Sequence, residues 1–198
     1  MRNKNDRDHL KAFFLVFFAG TIWSFGAVIV RYMEAAQSYQ WQYLFFRGLT
    51  VAIVISIYLW TKEGAAVLDN LKRTGLSGFF GALGLVAAMG GYIVSITLTT
   101  VANTLFMLAA APFIAALLGF VVLQEKIRFT TWIAMTIALM GILVMVMEGM
   151  EGGNLFGNLI ALVSALGFAV FTVSLRWRKD TSQFSTIALS GILCALVT

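Results

Sequence analysis

Charge is scarce in this chain. Asp, Glu, Lys and Arg make up 12% of its 198 residues, where a soluble domain carries about 25%. Between Thr74 and Gln124 there is no charged residue at all. Proline, cysteine and histidine occur once each, as Pro112, Cys194 and His9. A lone cysteine excludes an intrachain disulfide and a thiolate metal cluster. Cys194 lies in an apolar run and reads as a small buried hydrophobe. His9 lies in a basic arm and reads as solvated, and no second histidine stands at metal-ligand spacing. No Gly-rich phosphate loop ends in Lys-Ser/Thr, and no carboxylate pair lies within an apolar run. Soluble-enzyme chemistry therefore has no residues to carry it, and no metal or cofactor is implied. Without a nucleotide site, any transport is passive or driven by an ion gradient.

Apolar length is what the sequence has in quantity. Hydrophobic residues make up 60% of the chain and the mean hydropathy is +0.89. Only an integral membrane protein fits these values. A helix needs about 20 apolar residues to cross roughly 30 Å of hydrocarbon. On that measure spans are predicted at 12–30, 41–60, 76–96, 102–123, 129–147 and 154–175. A shorter seventh runs from Phe184 to Thr198. The charge-free stretch is too long for one crossing, and the polar patch from Ser95 to Thr100, followed by Asn103 and Thr104, marks where it folds back. The fourth span carries Pro112 near its middle. It is expected to be a kinked helix at the heart of the bundle, because neighbouring helices can re-satisfy a carbonyl that proline frees. A bilayer core offers no partner to a free carboxylate, so an end inside apolar residues predicts the front part of a longer protein.

The net charge of +5 and pI near 9.6 do not indicate nucleic acid, because the cations lie in short connections between spans. Arg2, Lys4, Arg7, Lys11, Lys62, Lys72, Arg73, Lys126, Arg128, Arg176, Arg178 and Lys179 all fall on one set of connections, and Arg31 alone on the other. This asymmetry predicts a cytoplasmic N-terminus in a cell inner membrane. The apolar run after the basic arm exceeds the length of a signal-peptide core and reads as a first span that also directs insertion.

Small residues recur at helical spacing. Gly81, Gly84, Ala88, Gly91 and Ser95 form one flat stripe in the third span. Ala111, Ala115 and Gly119 repeat the pattern in the fourth, and Gly153, Gly157 and Ala161 at the start of the sixth. Such stripes let helix backbones approach closely in lipid. A faint internal repeat lays Thr21–Val28 on Ser164–Phe171. The two copies are five spans apart, so they would have opposite orientation.

Four features resemble the EamA family of the drug/metabolite transporter superfamily. They are Trp23-Ser-Phe-Gly26, then Phe46-Arg47, then Thr100-Val-Ala-Asn103 followed by Pro112 and Leu123-Gln-Glu-Lys126, and last Gly152-Gly-Asn-Leu-Phe-Gly-Asn158. Gln124 stands where the family commonly has Gly, and Asn154 and Asn158 where it commonly has acids. The resemblance covers the whole chain. It implies an all-α polytopic bundle of ten helices in two inverted five-helix repeats, about seven of them present here. It implies alternating access and transport of small metabolites. On this reading residues 1–11 are a cytoplasmic arm, 12–147 the first repeat, 148–153 a connecting loop and 154–198 the start of the second. The partners expected are the lipid bilayer and a small-molecule metabolite, with room for a homodimer. A non-transporting structural or sensory subunit is the alternative.

Arg47 is the sharpest individual signal. Thirteen residues at 1.5 Å put it about 20 Å from the inner interface near Trp60, inside the hydrocarbon. A charge there faces a wet cavity or a partner. Arg47 is expected to line the substrate cavity, where it suits a carboxylate; the structural alternatives are snorkelling or pairing with Glu34 or Glu148. Thr21, Trp23, Ser24, Tyr92, Ser95, Asn103 and Thr104 are expected to complete a polar and aromatic pocket. Many such hydroxyls instead bond their own helix, and Asn103 could simply cap its helix. Glu125 and Lys126, with Arg128, are expected to be a solvated charge cluster that fixes the loop.

Overall fold

The computed structural model describes residues 4–33, 35–64, 67, 72, 74–151, 154–178 and 182–198. The inter-repeat glycines 152 and 153 lie outside the described residues, as does Glu34. Among the described residues eight helices follow in order: α1 Lys4–Tyr32, α2 Ala36–Glu63, α3 Gly75–Leu98, α4 Val101–Leu108, α5 Ala111–Leu123, α6 Phe129–Glu151, α7 Leu155–Trp177 and α8 Gln183–Val197. Six stretches among the described residues are long and apolar enough to cross a membrane, α4 and α5 together forming one of them, Val101–Leu123. The protein is an all-helical, multi-pass membrane protein. Each observed span begins and ends within a few residues of its predicted position.

The chain divides into two compact units, Met1–Ala36 and Gln37–Thr198. The first unit is α1, with Arg31 in its last turn. Most of its large apolar side chains are exposed, among them Phe13, Leu15, Phe18 and Ile22.

The second unit is organised on α3 and α7, which pack antiparallel. The predicted small-residue stripe of α3 makes this possible. A Cβ added at Gly84 would lie 2.6 Å from the Gly167 carbonyl oxygen, and one added at Gly157 would lie 2.8 Å from Thr99 Cβ. Gly91 meets Ser164 in the same way, with 3.0 Å from an added Cβ to the Ser164 Cβ. Ser164 Oγ then donates to the Ala88 carbonyl at 2.6 Å. Backbone proximity and interhelical hydrogen bonds supply the association that the hydrophobic effect cannot supply between helices in lipid.

This arrangement corrects one expectation. Half of the α3 and α7 spans is buried, against 22% of Val101–Leu123. The proline-bearing span therefore lies against the core rather than at its heart, because it has one small-residue face and α3 and α7 have the longer ones. The span is also broken rather than merely kinked. Pro112 stands in the first turn of α5 and has no N–H to give the Leu108 carbonyl. The chain turns through Ala109 and Ala110 instead, with Ala110 N–H bonded to Met107 O at 3.1 Å and Phe113 N–H to Ala110 O at 3.0 Å. α5 then lays Ala111 and Ala115 on Ala165, Ala169 and Val173 of α7. The Phe129–Met147 part of α6 is the most exposed of these spans, with 0% buried.

Candidate functional site: an intramembrane arginine and its surroundings

Arg47 stands on α2 beside a second glycine crossing. A Cβ at Gly48 would meet Cys194 Cβ at 2.9 Å and the Gly191 carbonyl at 3.0 Å. The absence of side chains at Gly48 and Gly191 lets α2 and α8 touch and keeps α8 beside the guanidinium. Leu44, one turn away on α2, is fully buried, and its carbonyl lies 3.6 Å from Cys194 Sγ. Arg47 itself is half-buried. Tyr92 of α3 and Cys194 of α8 lie within electrostatic range of its charge. Tyr43 stands one helical turn before Arg47 on α2. Tyr92 is buried, with 4% of its surface exposed. Among the described residues no carboxylate pairs with Arg47. Glu34 lies outside them, and so does the side chain of Glu148.

About one turn beyond Tyr92 on α3 a second polar group begins, made of hydroxyls and amides. Ser95 Oγ donates to the Gly157 carbonyl at 2.9 Å and lies 2.8 Å from Thr104 Oγ1. Thr104 Oγ1 also reaches the Thr100 carbonyl at 3.1 Å. Ser95 and Thr104 are completely buried, so both hydroxyls tie the α3–α4 turn to the start of α7. Thr100, not Asn103, caps α4, its Oγ1 accepting from the Asn103 N–H at 3.1 Å. Asn103 Nδ2 donates to Thr99 Oγ1 at 3.4 Å, and Thr99 Oγ1 donates to Asn158 Oδ1 at 3.1 Å. Asn158 is fully buried and its Nδ2 has no partner among the described residues. Sequence reasoning did not single out Asn158 or Thr99 as part of this group. The one available signal was an amide at a position where the resembling family commonly has an acid.

Thr21, Trp23 and Ser24 belong to the first unit. Thr21 Oγ1 donates to the Phe17 carbonyl at 2.9 Å and Ser24 Oγ to the Gly20 carbonyl at 3.0 Å. Their hydroxyls are thus occupied by their own helix. They line a groove of about 550 Å³ along α1, between Phe17 and Phe25. Trp23 is half exposed.

Glu125 lies at the opposite end of α3 and α7 from Thr99 and Asn158, and it pairs directly with Arg176 in the last turn of α7. Gln124 makes this geometry. It adopts the left-handed conformation at the end of α5, with φ 56°, which turns Glu125 back along the helix. Glu125 N–H bonds the Gly119 carbonyl at 3.3 Å. Gln124 Nε2 in turn donates to the Val121 carbonyl at 2.9 Å. Lys126 is exposed.

The bundle, its membrane-length helices and its half-buried cation fit a permease. The sequence profile of the EamA-like transporter family matches residues 10–147. The chain belongs to this family. No curated protein and no solved structure is detectably similar to it. The EamA match covers α1 to the greater part of α6, so Arg47, Tyr92, Pro112 and Glu125 all lie within it. Arg176, Asn158 and Cys194 lie beyond it. EamA proteins are membrane transporters of the drug/metabolite type rather than enzymes. Among the described residues no group of His, Cys, Asp or Glu side chains gathers as a metal site.

Proposed function

We propose that this EamA protein is a secondary transporter that carries small organic metabolites across a cell inner membrane by alternating access. Arg47 receives a carboxylate of the substrate. The observation that carries this reading is a half-buried guanidinium, deep within α2, with no carboxylate partner among the described residues. A cation at membrane depth is expensive unless it faces water or an anion. A substrate carboxylate meets that need transiently, and the guanidinium can bind it through two parallel hydrogen bonds. Tyr92 and Tyr43 add a hydroxyl and aromatic faces at the same place. The remaining predicted cavity residues, Thr21, Trp23, Ser24, Ser95, Asn103 and Thr104, contribute less directly, the two fully buried hydroxyls of Ser95 and Thr104 by holding α3, which carries Tyr92, against the start of α7. The distribution of Lys and Arg supports a cytoplasmic N-terminus, and family resemblance supports two inverted halves.

The test is uptake into proteoliposomes of a panel of radiolabelled amino and keto carboxylates. The wild type is expected to accumulate at least one member when an ion gradient is imposed. Arg47→Gln is expected to abolish that uptake while keeping its yield and melting temperature. Unchanged uptake by Arg47→Gln removes Arg47 from the site. A wild type that moves no solute removes the transport reading and favours a structural or sensory subunit.

A further inference from the structure

The broken span Val101–Leu123 has the parts of a hinged gate. Its second half, α5, begins at a break and ends at an ion pair. The break at Ala109 and Ala110 precedes Pro112, so no ordinary helical hydrogen bond from residue 112 crosses it. Between break and ion pair, α5 rests on α7 through Ala111, Ala115 and Gly119, all buried or nearly so. These small residues form the centre of the contact, with Ile114, Leu118 and Leu123 of α5 packed beside them. At the far end Glu125, just beyond α5, meets Arg176 of α7.

Gly119 provides the seat for that pair. A Cβ there would lie 3.1 Å from Glu125 Oε2 and 3.8 Å from Arg176 Nη1. The left-handed Gln124 aims the carboxylate back over this glycine. The two side chains remain 48% and 42% exposed. An ion pair so exposed contributes little to static stability. It breaks and re-forms readily, which is what a cyclic contact requires.

We infer that Glu125 and Arg176 form the latch of a gate at this end of the protein, with Ala109–Ala110 as its hinge. The inference rests on the transport reading above. α5 has 13 residues and is therefore about 20 Å long, so a rotation of about 10° at the hinge moves its tip by about 3 Å. That displacement separates the carboxylate from the guanidinium. The pair also joins a residue inside the EamA match to one beyond it, so it couples two parts of the chain.

The experiment measures distances between spin labels at Lys126 and Arg178 by pulsed electron resonance. It uses the full chain in lipid nanodiscs with Cys194→Ser removing the native thiol. The unaltered pair is expected to give one dominant short distance. Glu125→Gln and Arg176→Gln are each expected to raise the longer-distance population about two- to fivefold, the range an exposed ion pair can shift. The exchanged variant Glu125→Arg with Arg176→Glu is expected to restore the short distance, which a merely structural role for either residue alone would not do. Adding Pro112→Ala to Glu125→Gln is expected to suppress the long distance by re-forming a continuous helix. Identical distributions in the single variants and the unaltered pair overturn the latch, and a Pro112→Ala combination that opens as widely as Glu125→Gln alone overturns the hinge. Uptake measured on the same preparations separates this inference from the one it rests on. Shifted distances in a protein that moves no solute keep the latch and discard transport. Unshifted distances in a protein that transports discard the latch alone.

Discussion

Gly84 and Gly167 face each other across the crossing of α3 and α7, each backbone occupying the space where the other's Cβ would stand. An added Cβ at Gly167 would lie 2.5 Å from the Gly84 carbonyl oxygen and 2.7 Å from the Ala88 amide nitrogen. Neither obstacle is a flexible side chain, so the helices must separate to admit a methyl group. Gly167→Ala is expected to destabilise the protein by about 2 kcal/mol, the usual scale of overpacking. Gly90→Ala is the control, because nothing lies within 4 Å of its added Cβ, and it is expected to melt no lower than the wild type. Thermal unfolding in detergent compares the two.

Gln124 holds a backbone conformation that favours glycine, with φ 56°. A left-handed residue other than glycine carries about 1–2 kcal/mol of strain. Its side-chain bond to the Val121 carbonyl offsets part of this. Gln124→Gly is expected to stabilise the protein by about 0.5–1 kcal/mol net. Gln124→Val is expected to lower stability, since a β-branched residue resists positive φ. Melting temperatures of the two variants should move in opposite directions.

Thr104 has a fully buried hydroxyl shared with Ser95 and the Thr100 carbonyl. Thr104→Val keeps the shape and removes the hydroxyl. The expected loss is about 1 kcal/mol, the scale of interhelical hydrogen bonds in membrane proteins. Uptake per folded molecule should be unchanged. A variant with normal melting and lost uptake would instead place Thr104 in contact with the substrate.

Tyr92 offers a finer probe of the Arg47 site. Tyr92→Phe keeps the buried ring and deletes only the hydroxyl, which lies within electrostatic range of Arg47. If the substrate carboxylate receives that hydroxyl as well as Arg47, KM should rise about tenfold, corresponding to about 1.4 kcal/mol for one hydrogen bond to a charged group, with the maximal rate little changed. An unaltered KM would separate Tyr92 from the substrate.

The spans were legible because two simple signals coincide at each boundary: apolar length and a flanking charge or polar turn. The α3 stripe from Gly81 to Ser95 was legible for the same kind of reason, since small residues at a spacing of three and four mark one helix face. What periodicity does not carry is the identity of the helix on the other side, so the pairing of Gly84 with Gly167 emerged only in three dimensions. Glu125 illustrates the limit more sharply. Its nearest cations in sequence are Lys126 and Arg128, and the sequence reading grouped them. The structure pairs it with Arg176, 51 positions later, because the left-handed turn at Gln124 reverses the carboxylate onto Gly119. The signal for that turn was present as a glutamine where the resembling family commonly has glycine. Its geometric meaning depended on a φ angle. Likewise, Cys194 and Leu44 are 150 positions apart, and nothing local to either announces that they share the neighbourhood of Arg47.

The break in the fourth span has an electrostatic side. Half-helices that end inside a membrane can bind ions when their partial charges point into an open cavity. Here the gap spans only Ala109 and Ala110, and it is closed by the bonds from Ala109 N–H to Leu105 O at 3.0 Å and from Ile114 N–H to Ala110 O at 3.0 Å. The negative end of α4 therefore abuts the positive end of α5. Their fields cancel over a few ångströms instead of projecting outward. The discontinuity gives the protein a bend without creating an ion well, so on the transport reading proposed above the attraction of an anionic solute falls to Arg47.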